Sequence, residues 1–378
     1  MDAKATAGIP RAFVSMPEPR HHNIRHKLID ILTIALFAVI CGAEDWVAVA
    51  LYGHQRRQWL NTFLDLPNGI PSHDTFSDVF SRLDPDAFEA CFQAWMASLV
   101  ELSGGQLVAI DGKSIRRAFE SAWDNSTMPH MVSAFVAANG MVFAQQKADG
   151  KGQELSAIEK LLDLLELKGA VITIDALGCQ KKITQKAQER GANYVLQVKE
   201  NQPTLLKTIE NVMAQGRLNG FKGLCSDRFE QTEKGHGRIE TRQLWVCWNV
   251  ELLGEAAKGW EGLKCIATMQ RARTVHGRRS VELHQYICSL DARHTAAQVA
   301  GYIRGHWSVE NNLHWQLDVS FNEDQNRTRK GHGAENLSRL NRIALNLLKR
   351  EKTVKVGIKN KRKGCGWSDD YLLKVVAS

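Results

Sequence analysis

The sequence predicts an α/β protein: a mixed sheet with flanking helices, a helical N-terminal domain before it, and a β-rich insertion ahead of the last core helices. Three observations carry this. From about His26 to Leu102 apolar residues recur at helical spacing, as in "HKLIDILTIALFAVI" and "DPDAFEACFQAWMASLV". After Gly104-Gly105 the period shortens to that of strands and then alternates strand with helix. Residues 216–290 break the alternation with "TRQLWVCWNV", "KCIATMQRAR" and "SVELHQYICSL", strand-like pieces separated by basic or glycine-rich turns.

Taken in order, the run from Ile31 to Ala43 reads as a buried helix, since a bilayer span needs ~20 apolar residues. In "IPSHDTFSDVFSRL", Ser72 or Asp74 caps a short helix that is either a helix-turn-helix reader or one more packed helix. "QLVAID" is a strand, and "HMVSAFVAANGMVFAQQKA" is a hairpin with a primed turn at Asn139-Gly140. "ELSAIEKLLDLLELKG" is an amphipathic helix stopped at Gly169; "AVITIDALGC" and "NYVLQVKE" are strands on either side of a helix that ends at Gly191. Helix-strand alternation implies parallel pairing and the hairpin antiparallel pairing, so the sheet is mixed. The expected divisions are a helical domain at 1–104, core at 105–215, the insertion at 216–290, the rest of the core at 291–350 and a basic tail at 351–378.

The formal net charge of +8 is unevenly placed. Residues 1–110 hold 8 Lys/Arg against 12 Asp/Glu, whereas residues 326–363 hold 13 against 2. Such a basic block attracts phosphate backbones or anionic membranes, or is a solvated tail. The eight cysteines include no C-x-x-C pair, which points to reduced thiols in a cytosol. Near the N-terminus no charged region precedes an apolar core and cleavage site, so the expected location is cytoplasmic, with no membrane partner.

The stretch "LVAIDGKSIRR" ends in Gly-Lys-Ser, but a phosphate-binding loop needs a glycine at position 107, where Leu107 stands. Asp111 is instead a carboxylate at the tip of an apolar strand. "AVITIDALG" repeats the arrangement with Asp175. If the strands are neighbours, the two acids repel unless a divalent cation lies between them. In "GHWSVENNLHWQLD", His306, Glu310 and His314 are four apart and share a helix face. Glu310 with two histidines offers a zinc-hydrolase alternative, although the spacing differs from H-E-x-x-H; the histidines also serve as neutral hydrogen-bonding groups or phosphate contacts. Two strand-end aspartates and a helical glutamate suit Mg²⁺ or Mn²⁺, and two such ions promote in-line phosphoryl displacement.

The segments "HKLIDILTIALFAVICGAEDW", "AIDGKSIRR", "TIDALGCQKKI", "GANYVLQVKENQPTL", "KGHGRIETR", "IRGHWSVENNLHWQLDVSFNED" and "LSRLNRIALNLL" occur in that order. This chain resembles the DDE-type transposases of bacterial insertion sequences, and more closely the H-repeat-associated transposase family. The resemblance implies a ribonuclease-H-like core and a metal-binding triad of Asp111, Asp175 and Glu310. It also implies Mg²⁺ or Mn²⁺ as cofactor, double-stranded DNA (element ends and target) as partner, and a homodimer or higher assembly on DNA. The arginine and lysine that the broader superfamily often carries around the glutamate are His306 and Leu317 here. Asp318 and "NED" at 322–324 match the narrower group, with supporting roles behind the ligands.

Candidate DNA contacts are Lys113, Arg116 and Arg117 after the first aspartate; Lys199, Asn201 and Gln202 after the fifth strand; His236 and Arg238 in the insertion; and His306, Trp307 and His314 around the glutamate. Trp307 and Trp315 are stacking surfaces for a displaced base or core aromatics. The expected activity is cleavage at element ends followed by 3′-hydroxyl strand transfer. The alternatives are a DNA-binding remnant that no longer transposes and a metal-dependent nuclease that cuts without joining.

Overall fold

The structure, a computed structural model, describes residues 13–22, 24–99, 105–118, 128–148, 150, 152–235 and 237–377. The N-terminal region folds mainly as helices α1 (Leu28–Ile40), α2 (Trp46–Gln55), α3 (His73–Arg82) and α4 (Pro85–Leu99). In α1 every residue but Ile29 is buried, because a helix without a polar stripe must be surrounded. Ser72 caps α3 by accepting from the Thr75 N–H, and the helix turns Phe76, Val79 and Phe80 inward. Among the described residues no helix is long and apolar enough to cross a membrane.

The core strands are β1 (Leu107–Ser114), β2 (His130–Val136), β3 (Met141–Ala148), β4 (Val171–Ile174) and β5 (Asn193–Val198). Helix α5 (Glu154–Leu164) precedes β4, α6 (Lys181–Glu189) links β4 to β5, and α7 (Pro203–Asn219) follows β5. Next come β6 (Ser226–Gly235), β7 (Arg238–Cys247), β8 (Cys265–Val275) and β9 (Arg278–Cys288). All nine described strands form one sheet in the order β3-β2-β1-β4-β5-β9-β8-β7-β6. β2 is antiparallel to β1 and β3, whereas β1, β4 and β5 run parallel. This is the mixed sheet expected from the sequence. The β-rich segment is continuous with it, because β9 pairs antiparallel with β5 from Val195↔Cys288 to Val198↔Gln285.

Two local expectations differ. Val136 pairs with Met141, so the hairpin turn has four residues, and Gly140 but not Asn139 adopts positive φ. A two-residue primed turn of the Asn-Gly kind needs both, so this turn is of another type. The residues beyond Arg350 form two helices, α11 (Ile358–Trp367) and α12 (Asp369–Ala377), whose Cys365, Leu372, Val375 and Val376 join the core. Lys361 donates to the carbonyls of Leu348 and Glu351, and Arg362 to those of Val39 and Ser320. Part of the basic surplus therefore closes helix ends.

The segment before these helices comprises α8 (Ala296–His306), α9 (Trp315–Phe321) and α10 (Gly333–Arg350). Helix α10 lies between the N-terminal helices and the sheet and is buried from Gly333 to Leu348. Its polar stripe finds partners on both sides. Asn336 donates to the carbonyls of Phe80 and Leu83, and Asn346 both donates to Val142 O and accepts from Val142 N on the edge strand β3. Arg339 lies 3.2 Å from Glu89 of α4 and 2.8 Å from Glu335; Arg342 lies 3.0 Å from Glu323 and 3.3 Å from Ser133 Oγ on β2. Both arginines are fully buried. Arg339 and Arg342 are thus ion-paired and unavailable to nucleic acid.

Removing one partner of such a pair leaves a buried charge uncompensated. Arg339→Ala is expected to cost about 3–5 kcal/mol in urea unfolding, and a loss under 1 kcal/mol would contradict the pairing.

Candidate functional site

β1 and β4 pair in parallel from Leu107↔Val171 to Ile110↔Ile174 and then part. Asp111 and Asp175 are the next residue on each strand, so the register sets them side by side on neighbouring strands ~4.8 Å apart. Asp175 does end its strand: its carboxylate accepts from the Leu177 N–H at 3.1 Å and caps a short 3₁₀ turn, Ala176–Gly178. Asp111 does not, because β1 continues to Ser114 against β2, with Asp111 opposite Ser133. β1 thus parts from β4 beyond Ile110 while staying paired with β2.

Gly112 is required by its neighbour. A Cβ there would stand 2.3 Å from His130 Nε2. The ring is held over the strand by Ser114 Oγ, 2.8 Å from its Nδ1, with Glu154 3.7 Å from Nε2. The glycine of "DGKS" thus answers to close packing.

The third acid arrives on an irregular helix. α8 ends at His306, and after a turn at Trp307 the segment Glu310–His314 winds as a π-helix into α9. His306 and His314 therefore part company, contrary to the shared face expected. His306 Nδ1 lies 3.1 Å from Thr173 Oγ1 on β4, while His314 Nδ1 lies 3.1 Å from Glu310 Oε2 and 3.6 Å from Asp111 Oδ2. Among the described residues, Asp111, Glu310 and His314 are the group whose potential ligand atoms all lie within 4.8 Å of one another. Asp175 stands outside that group but lines the same cavity of about 210 Å³ with Asp111, Glu310, His306, Trp307 and Lys199.

Electrostatics mark the place. Burial pushes the Asp111 carboxyl up to about 7, with Asp175 and Glu310 adding to the rise and the Gly112 N–H opposing it. Burial drives His314 down to about 4 despite the bond to Glu310, so its ring is neutral near pH 7; His306 is lowered for the same reason. His314 Nε2 is buried without a partner.

Several expected DNA contacts are committed elsewhere. Lys113 is buried, its ammonium 2.7 Å from both Asp318 and Asp324, which explains the acids following Glu310 as a clamp on β1. His314 is buried in the acid cluster and His306 is tied to Thr173. Asn201 and Gln202 donate to the carbonyls of Ala176 and Cys179, pinning the loop after Asp175. Arg116 reaches Asp324 at 3.3 Å but is exposed, as are Arg117 and Lys199. His236 lies outside the described residues. Arg238 and Trp307 line a second hollow of about 920 Å³ with Arg242, Arg271, Arg304 and Glu310. Glu233 and Glu240 partly neutralise these arginines. Trp315 is half exposed on α9. Ser133 and Arg342, which back the site together with Glu323, were not singled out from the sequence; the signal for Arg342 is a polar stripe on α10 at spacings of three and four.

Residues 102–347 match the family described as "Transposase DDE domain", and residues 11–96 match that described as "DDE_Tnp_1-associated". The chain is 40% identical to the Escherichia coli protein named "Putative transposase YncI", covering 96% of this chain and 93% of that one. It is 37% identical to the E. coli "H repeat-associated putative transposase YhhI", covering 94% and 93%. A shorter match, 44% identical over 60 residues, is to the E. coli "Inactive transposase YbfQ". The solved piggyBac transposase synaptic complex with hairpin DNA aligns over 98% of this chain and 76% of its own at 10% identity, with a TM-score of 0.43.

Gly112→Ala is expected to lower unfolding stability by about 1–3 kcal/mol. The loss should largely vanish in the Gly112→Ala/His130→Ala double variant, and an undiminished loss there would refute the packing explanation.

Proposed function

This chain belongs to the DDE transposases, among relatives of the H-repeat-associated proteins, and on that footing we propose that it cleaves DNA at insertion-sequence ends and joins the freed 3′-hydroxyl to target DNA. The observation that carries the reading is the gathering of Asp111, Asp175 and Glu310 on one cavity beside an arginine-lined hollow. The donors fit a hard divalent cation: carboxylate oxygens accumulate there with a neutral imidazole beside them, and Asp111 resists ionisation because it is buried beside two further acids. Asp111, Asp175 and Glu310 would be the ligands, with His314 as a further donor or as the group that steadies Glu310. When bound, Mg²⁺ or Mn²⁺, two ions in this proposal, would supply activation of water or of a 3′-hydroxyl and stabilisation of the leaving oxygen.

The chain's own groups hold the substrate. Lys199 at the cavity rim and Arg238, Arg271 and Arg304 in the hollow would meet phosphates, the exposed Arg116 and Arg117 would add contacts, and the exposed face of Trp307 would stack on a displaced base. The partner is double-stranded DNA, bound as a homodimer or larger assembly in the cytoplasm. A second reading, DNA binding without transposition, is kept in view by the relative named inactive; a nuclease that never joins is separated by strand transfer on pre-nicked ends.

Asp111→Asn, Asp175→Asn and Glu310→Gln are each expected to abolish Mg²⁺-dependent cleavage of DNA bearing the element ends. Full activity in any one folded variant counts against the triad. Arg238→Ala should weaken DNA binding at all sequences and reduce the slope of log K against log salt by about 1. An unchanged slope would remove Arg238 from the interface.

A further inference from the structure

The Glu310 side chain is 63% exposed, and its partner among the described residues is His314. Its aim therefore depends on the backbone that carries it. That backbone is the π-turn, in which the Trp315 N–H bonds the Glu310 carbonyl, one residue beyond the α-helical partner. A single wide turn inside a helix is a local irregularity that needs support from outside the helix.

Lys349, in the last turn of α10, supplies that support. Its Nζ donates to Asn312 O, in the middle of the π-turn, at 2.5 Å, and to Gly140 O, at the β2–β3 turn, also at 2.5 Å. It lies 5.0 Å from the centre of the Phe135 ring, whose residue pairs with Ala109 two positions before Asp111. Gly140 has φ +66°, and a Cβ there would meet Lys349 Nζ at 3.7 Å. One amine thus ties the turn bearing Glu310 and His314 to the strands beside Asp111. We propose that Lys349 is a positioning residue that fixes the π-turn and so aims Glu310 and His314 at Asp111.

Burial pulls the Lys349 amine down to about 7. A neutral amine retains two N–H donors, one for each carbonyl, so the tether does not require the charge.

The inference rests on the reading of Glu310 as a metal ligand, and its test separates the two. Mn²⁺ binding to the full chain is followed by the paramagnetic resonance of unbound Mn²⁺, alongside thermal unfolding and DNA affinity. Lys349→Met should weaken Mn²⁺ binding about tenfold or more with DNA affinity kept, and Lys349→Arg, which retains donors, should recover most of it. Because Lys349 acts through Glu310, Lys349→Met should add little to the loss already caused by Glu310→Gln. Additive losses, or wild-type Mn²⁺ affinity in Lys349→Met while Glu310→Gln is impaired, would overturn the positioning role alone. Unchanged affinity in Glu310→Gln would overturn the ligand assignment and this inference with it. If the methionine variant fails to fold, Lys349→Leu fills the same space over Phe135 without donors; failure of both would assign Lys349 to the fold and overturn the proposal.

Discussion

The structure turns on a repulsion. Parallel pairing of β1 with β4 ends at Ile110 and Ile174, and the next residue on each strand is an aspartate facing a third acid on a helix. Burial alone disfavours the Asp111 carboxylate, and its acidic neighbours disfavour it further. A fold holding these groups together must fix them rigidly, because each would gain by moving apart into water. Much of the surrounding architecture has that effect: the Leu177 N–H on Asp175, the Gly112 N–H on Asp111, and the imidazole of His314 beside Glu310.

The fixation continues behind the acids. Lys113, two residues after Asp111, is clamped by Asp318 and Asp324 from the segment that follows Glu310, so β1 and that segment are joined by charge. Arg342 reaches Ser133, the residue opposite Asp111, and is itself neutralised by Glu323. Buried ion pairs of this kind contribute little net stability relative to apolar packing, but losing one member is costly. They restrict the sheet edge to one geometry. The N-terminal helices take part through Glu89 and Arg339, and the last two helices through Arg362, which closes the end of α1.

Much of the fold was legible in the sequence, for reasons that can be named. Strand patterning in "LVAID" and "VITID" and helical spacing in "ELSAIEKLLDL" reflect burial on defined faces, and the structure keeps them. The two aspartates were legible because the same arrangement, an apolar strand that delivers an acid, occurs twice. What was not legible depended on contacts remote in sequence. Lys113 looks like a free cation until Asp318 and Asp324, more than 200 positions away, are brought to it. The stripe of Glu335, Arg339, Arg342 and Asn346 has the spacing of a solvent face, yet α10 is covered on both sides. The π-turn leaves no signal in composition, and so the separation of His306 from His314 could not be read.

The central claim is that the acids at the β1–β4 edge form a divalent-metal site. The most direct measurement is anomalous diffraction from crystals grown with Mn²⁺. The account predicts a peak in the cavity within about 2.1 Å of oxygens from Asp111 and Glu310, and no peak there at saturating Mn²⁺, or Mn²⁺ held only by groups outside that cavity, would contradict it.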